Sequence, residues 1–462
     1  MKVCLINTYD LGHQPFGISS PASWLEDAGA DVECLDLSIE CIDEEALKSS
    51  GLIAIYLPMH TATMLAIEIL PKIKNLNSDA HLSFYGLYAS INKDFLYSLG
   101  GKSIISGEFE ENLVKLYEEL LGNKVVDNLG FVSLKKQNFR KPKRSYLPNL
   151  NLYAKLINSK SQSITVGYTE STRGCKHVCR HCPIVPVYNG RFFVVSSDVV
   201  MDDIRQQVEA GAKHITFGDP DFFNGPGHAL KIIESFHEEF PKLTYDATIK
   251  VEHLLAHSEK LSLLAETGCL FITTAVEEVD DEVLIKLGKR HTRFDFVEVV
   301  KSSRDAGISL SPTFIPFHPW TKLSGFVELL SNISKLNLIE NVASVQLGIR
   351  LLIPKGSRIL DLKEINQFLG DFDEKKLSYS WKSEDPRVEV LQSKVLEAIQ
   401  LGVSEGASRR KIFENVWILA HNACEKSVPE LPPDLDEGYQ IPAMSEPWYC
   451  CAEPTDALVA SI

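Results

Sequence analysis

Arg173-Gly174-Cys175-Lys176-His177-Val178-Cys179-Arg180-His181-Cys182 holds three thiols in a Cys-x3-Cys-x2-Cys spacing and follows closely on an apolar run at 164–168 that reads as a strand. Three thiolates without a fourth hold a [4Fe–4S] cluster and leave one iron open. A closed zinc or iron–sulfur site needs a fourth ligand, usually from a second Cys-x2-Cys pair or a His pair, and none follows at the expected distance. A zinc knuckle is the competing reading of the triad. The loop falls at the carboxyl end of a strand, where barrel enzymes carry their reactive groups. Gly174 permits the tight turn before the first thiol. His177, Arg180 and His181 read either as loop surface or as side chains that tune the site.

Downstream of this loop, apolar runs at 164–168, 214–217, 244–250, 269–275, 309–315 and 345–352 alternate with helical patterns at 196–210, 227–239, 255–267, 280–287, 294–306 and 323–336. Six such steps predict a partial (β/α)6 barrel rather than a full eight-fold one. Upstream, strands at 2–7, 32–35, 52–56, 81–85 and 104–105 alternate with helices at 22–28, 62–73 and 108–121. That pattern predicts a doubly wound, Rossmann-like parallel sheet, which binds ligands at the carboxyl ends of its strands. The α/β chain divides into residues 1–125 for the first sheet, 126–162 for a linker and 163–358 for the barrel, then a helical region at 359–430 and a Pro-rich tail at 431–462. Lys135, Lys136, Arg140, Lys141, Lys143 and Arg144 read as a solvated basic linker.

Composition narrows the function class. The chain has 462 residues, 44% hydrophobic and 24% charged, as an ordinary globular protein of two or three domains does. A net charge of −15 argues against nucleic acid as the main partner. No apolar run reaches the ~18 residues of a membrane span. Residues 1–7 read as a buried first strand rather than a signal peptide. Ten cysteines without an export signal point to a reducing, cytoplasmic setting.

Four further segments carry chemistry. Gly218-Asp219-Pro220-Asp221 follows a strand and sets exposed backbone and carboxylates at its end; an acidic turn capping the next helix is the alternative. Glu277 ends another strand, ahead of the run Lys286-Leu287-Gly288-Lys289-Arg290-His291-Thr292. Arg350 interrupts an apolar run, so it needs a buried anion, from either an internal carboxylate or a ligand. Cys450-Cys451-Ala452-Glu453-Pro454 places two soft ligands on the tail, where a disulfide between neighbours would be strained.

The cysteine spacing resembles the signature of the radical S-adenosylmethionine (SAM) superfamily. With the tail motif, the whole chain is similar to the CUAEP/CCAEP-tail radical SAM protein family, some of whose members carry selenocysteine where Cys451 stands here. The resemblance implies that Cys175, Cys179 and Cys182 hold a [4Fe–4S] cluster, and that SAM chelates the open iron. It also implies that Gly218, Asp219, Asp221 and Glu277 contact SAM, and that Cys450 and Cys451 act in catalysis; the SAM carboxylate is then a candidate for the anion that Arg350 needs. The N-terminal region resembles the cobalamin-binding domain fused to many such enzymes, which makes cobalamin a candidate cofactor. The cobalt-ligating Asp-x-His-x-x-Gly motif is absent, and Asp10-Leu11-Gly12-His13 has the wrong spacing.

Three functional readings follow. The first is an enzyme that cleaves SAM reductively and transfers a 3-amino-3-carboxypropyl or methyl group, with the tail thiols presenting a thiophilic acceptor such as trivalent arsenic. The second is a cobalamin-dependent methyltransferase acting on carbon or phosphorus. The third is an iron–sulfur electron carrier without catalysis. The expected partners are a small-molecule substrate and a reductant such as flavodoxin or ferredoxin, with neither nucleic acid nor membrane.

Overall fold

A computed structural model describes residues 1–122, 129–158, 160–433 and 441–446. The first sheet contains β1 (Lys2–Asn7), β2 (Asp31–Asp36), β3 (Ser50–Tyr56), β4 (His81–Tyr85), β5 (Ser103–Gly107) and β6 (Leu129–Ser133), in the order β2-β1-β3-β4-β5-β6. Every pair in it is parallel. The order reverses between β1 and β3, so the crevice of this doubly wound sheet opens past Asn7 and Tyr56.

The second sheet runs β14-β13-β12-β11-β8-β7-β17. Its parallel strands are β8 (Ser163–Thr169), β11 (His214–Phe217), β12 (Thr244–Thr248), β13 (Cys269–Glu277) and β14 (Ser309–Phe314). Two short antiparallel strands, β7 (Lys155–Ile157) and β17 (Ala443–Met444), extend its β8 edge. The hairpin β9 (Thr172–Gly174) with β10 (Phe192–Val194) brackets the cysteine loop, and β15 (Leu369–Asp373) pairs with β16 (Ser378–Trp381).

Three expectations change. The sixth barrel strand does not form: residues 344–347 coil into a 3-10 turn, and one parallel bridge joins Phe317 to Arg350. The run 345–352 is apolar because Leu347, Ile349, Leu351 and Leu352 pack into the core, which periodicity cannot tell from strand burial. The expected linker at 126–162 supplies a strand to each sheet, β6 and β7. Three of its basic residues are paired rather than simply solvated. Arg144 is buried and donates to both Asp203 carboxylate oxygens, at 2.9 and 2.8 Å, while Arg140 pairs with Asp27 and Lys143 with Glu26. Among the described residues no helix is long and apolar enough to cross a membrane.

Candidate active site

The carboxyl ends of the two sheets face each other across one cavity of about 310 Å³. The first sheet lines it with Asp10 and His13 after β1, Pro58 and Met59 after β3, and Tyr88 after β4. The barrel lines it with all three cysteines of the loop. A smaller cleft of about 130 Å³ continues along the same edge to Gly107 and Phe109 after β5, sharing Tyr56, Pro58 and Leu87 with the first.

Local chemistry anchors the cysteine loop. Gly174 has φ +76°, and a Cβ there would overlap Tyr188 and lie 2.6 Å from the Arg191 carbonyl oxygen, so only glycine fits. Arg180 donates to the carbonyls of Ile285 and Lys286 at 2.8 and 2.9 Å, capping the carboxyl end of the helix Asp281–Leu287. Its backbone N–H donates to Leu287 O at 2.8 Å. Asn224 ties Gly174 to Lys176 through its side-chain amide. None of the three cysteines is in a disulfide, and Cys175 and Cys179 are buried.

The donor set fits an iron–sulfur cubane better than a zinc ion. Among the described residues, the groups whose ligand atoms close to within 4.8 Å are Cys175–His177–Asp221 and His177–Glu252–His253, and the three cysteines together are not one of them. A four-coordinate zinc would draw its sulfurs to about 3.8 Å from each other. Positive charge stands opposite the thiols. Lys250 Nζ lies 3.5 Å from Cys179 Sγ, and although burial opposes the Lys289 charge, Glu277 and the nearby Cys179 and Cys182 hold its pKa above the ordinary lysine value.

Glu277 closes the barrel side. Its backbone is left-handed, φ +70°, which a non-glycine residue adopts at a cost of about 1–3 kcal/mol. Burial opposes its charge, yet Lys289 and His181, each 3.1 Å from Oε1, hold the carboxyl well below the usual range. Lys289 also donates to Ala275 O at 2.6 Å. Gly218 lines the cavity, and a Cβ there would overlap Tyr168. The Asp219 carboxylate is already engaged by Ser171 N–H, Ser171 Oγ and Thr172 Oγ1, at 2.5–2.9 Å. Across the cavity, burial drives His13 down to about 4, so its ring is neutral where it lies against Tyr168 at 4.6 Å between centroids. Burial also pushes the Asp10 carboxyl well up.

Cys175, Cys179, Cys182, Gly218, Asp219 and Glu277 therefore come together on the cavity wall. Two expected SAM contacts lie elsewhere. Arg350 donates to Glu389 at 2.6 Å and to Trp381 O, with its guanidinium 3.5 Å over the Trp381 ring, because the strand meant to aim it inward is absent. Asp221 is fully buried behind the cysteine loop, against His177 and His253. Cys450 and Cys451 lie outside the described residues. Sequence reasoning passed over Lys250 and Lys289, and took Asp10 only as part of a run with the wrong spacing for cobalt ligation. Lys289 stood in a quoted run, but only tertiary contact pairs it with Glu277.

Residues 169–331 match the family model of the Radical SAM superfamily. This chain carries a radical SAM domain. It is an enzyme, and such a domain works with a [4Fe–4S] cluster and SAM. The hopanoid C-3 methylase of Methylococcus capsulatus is 25% identical over 325 residues, covering 67% of this chain and 62% of that protein. A tRNA-2-methylthio-N(6)-dimethylallyladenosine synthase of Desulfosudis oleivorans is 25% identical over 190 residues, covering 39% and 40%. The chain thus spans 40–62% of the length of these two relatives. The fold is shared with the cobalamin-dependent SAM radical enzyme OxsB with aqua-cobalamin bound, at TM-score 0.68 and 16% identity over 87% of this chain and 67% of that one. It is also shared with the radical SAM methyltransferase TsrM from Kitasatospora setae, with cobalamin and a [4Fe–4S] cluster bound, at TM-score 0.59 and 17% identity over 73% and 74%.

Proposed function

We propose that this radical SAM enzyme is a cobalamin-dependent methyltransferase acting on a carbon or phosphorus centre of a small molecule. The observation that carries the reading is the shared cavity: the switch-point crevice of the first sheet opens onto the wall that bears the cysteine triad. When bound, the cluster supplies an electron to the SAM sulfonium and cobalamin supplies a methyl carrier. Cys175, Cys179 and Cys182 hold the cluster in this proposal, and Lys250 offsets the thiolate charge at Cys179. Glu277, kept ionised by Lys289 and His181, accepts hydrogen bonds from the bound nucleoside or amino group. Backbone at Gly218 meets the methionine end. Asp10, His13, Tyr56 and Met59 would form the wall that holds the corrinoid, and His13 would meet it as a neutral ring.

The test is anaerobic reconstitution with cobalamin, SAM and a flavodoxin or ferredoxin reductant. A bound cobalamin spectrum and S-adenosylhomocysteine among the products are expected. Methylthioadenosine without bound cobalamin would sink the reading.

One observation favours a second reading, the CUAEP/CCAEP-tail assignment with transfer to a soft acceptor. β17 brings the chain back onto the barrel edge, and Glu446 lines the cavity while accepting from Tyr9 Oη at 2.5 Å. Cys450 and Cys451 follow four and five positions later. Cys450→Ser and Cys451→Ser variants should then lose arsenite binding, and unchanged binding removes this alternative.

A further inference from the structure

We propose that the outer face of the cysteine loop is a basic docking surface for an acidic one-electron carrier protein. The inference rests on a cluster held by the cysteine triad and is independent of methyl transfer. A cluster that gives an electron to SAM has to be refilled from outside. The cavity of about 310 Å³ is too small to admit a protein, so a carrier reaches the cluster through the other side of the loop. In that step one electron leaves the carrier, which is oxidised, and enters the cluster, which is reduced; no bond forms or breaks.

Three segments meet on that outer side. Residues 171–197 form the loop and its flanks, and 283–294 include the end of the helix Asp281–Leu287, which Arg180 caps. Residues 350–360 pack on both: Ser357 Oγ donates to Arg180 O at 3.2 Å, and Arg358 donates to Asn189 at 2.6 Å. The Cβ position of Gly190 is 3.5 Å from Lys176 O, and that of Gly288 is 3.6 Å from Val178 O. None of the three segments contains an Asp or Glu, in a chain that has 62 of them and a net charge of −15. Their cations include Lys176, Arg180, Arg191, Lys286, Arg290 and Arg358. Glu364, from outside the segments, pairs with Lys286 at 3.1 Å. Lys176, Arg191 and Arg290 are exposed, and among the described residues no carboxylate pairs with them.

The surface also has an apolar centre. Ile285 is 70% exposed where its carbonyl takes the Arg180 side chain, and Pro186 is exposed beside Gly356. Arginines around an apolar contact are the make-up of a protein interface. An acidic carrier is repelled by the chain as a whole and attracted to this face, so charge orients the encounter toward the cluster.

The experiment uses the full chain with its cluster rebuilt anaerobically, and flavodoxin as the carrier. Stopped-flow bleaching of the cluster absorbance follows reduction by flavodoxin hydroquinone and, separately, by dithionite, a small reductant that needs no docking. For the parent, the flavodoxin rate should fall steeply with added salt. The double variant Arg191→Glu with Arg290→Glu should lower that rate about tenfold or more. It should also weaken association of oxidised flavodoxin, read by calorimetry, while dithionite reduction, cluster absorbance and far-UV circular dichroism stay unchanged. Arg191→Lys with Arg290→Lys should behave as the parent. So should Lys48→Glu, a charge reversal in the helix Glu44–Ser49, which precedes β3 at the edge of the first sheet away from the cavity. Unaltered flavodoxin kinetics after the double reversal, or equal slowing with dithionite, would overturn the docking surface. Parent protein that binds RNA but not flavodoxin would overturn it as well. Association and cluster reduction are both read without SAM or cobalamin, so a chain that docks the carrier yet transfers no methyl group refutes the earlier reading alone.

Discussion

The first sheet and the barrel sheet are both parallel and both end at the cavity, but their interiors differ. In β1 and β3, Val3, Cys4, Leu5 and Ile6 and then Leu52, Ile53, Ala54 and Ile55 are buried without a polar interruption. The barrel strands bury polar side chains at cavity-facing positions, among them Thr216, Asp246, Thr273 and Glu277. Asp246 is held there by His214 at 2.9 Å and Thr216 at 2.6 Å. The first sheet also buries polar side chains, but His81, Ser83 and Ser103 bond one another between β4 and β5 instead of lining the cavity, whereas the barrel turns its polar groups toward the reaction space. The barrel therefore supplies the reactive groups, and the first sheet supplies shape and a crevice.

The sharpest way to break this contrast is at the cysteine triad. Cys179→Ser should abolish cluster absorbance and SAM cleavage, with the secondary structure of both sheets intact by circular dichroism. Next is the buried pair beside it. Lys289→Met strips Glu277 of its cationic partner, and removing one member of a buried pair costs about 3–5 kcal/mol. Denaturant unfolding should report that loss, with SAM cleavage falling alongside it. A comparable pair joins the two units: Arg173 of β9 reaches Glu110, after β5, at 2.7 Å, while Glu170 of its own segment holds it at 2.9 Å. Arg173→Leu should destabilise the join between the sheets, giving two unfolding transitions where the parent shows one.

A smaller effect, dependent on pH, tests the same join. Glu108 is buried 3.7 Å from Arg173, farther than Glu110, and burial pushes its carboxyl up to about 7 while Arg173 holds Glu110 below the usual range. The raised value in the folded state means Glu108 favours folding at pH below about 4.5, and that contribution is lost as pH rises through about 7. The stability of Glu108→Gln relative to the parent should therefore improve as pH rises from 4.5 to 7. Unfolding midpoints across that range check the sign; a difference independent of pH would show that Glu108 is ionised throughout. The smallest effect is expected at Arg350, which pairs with Glu389 away from the cavity. Arg350→Gln should leave SAM cleavage unchanged, and a loss of cleavage would place this side chain in the cofactor site after all.

Strand and helix positions were largely legible because both sheets bury continuous apolar runs. The expected 2–7, 81–85 and 214–217 coincide with Lys2–Asn7, His81–Tyr85 and His214–Phe217. The misses share a cause. The run at 345–352 is apolar because it packs, and packing does not specify an extended backbone. The basic stretch that ends at Arg144 looks solvated in isolation, and only the neighbouring Asp203 shows that this arginine is buried.

The sequence by itself determined that two parallel α/β units follow one another and that three thiols, without a fourth, stand at a strand end. Those properties rest on local periodicity and residue spacing along the chain. Tertiary structure alone decided that both carboxyl edges open on one cavity, that Lys289 and His181 keep Glu277 charged, and that Asp221 turns away toward two histidines. Each of these depends on electrostatic or packing contact between residues far apart in sequence, and no short window of residues carries that information.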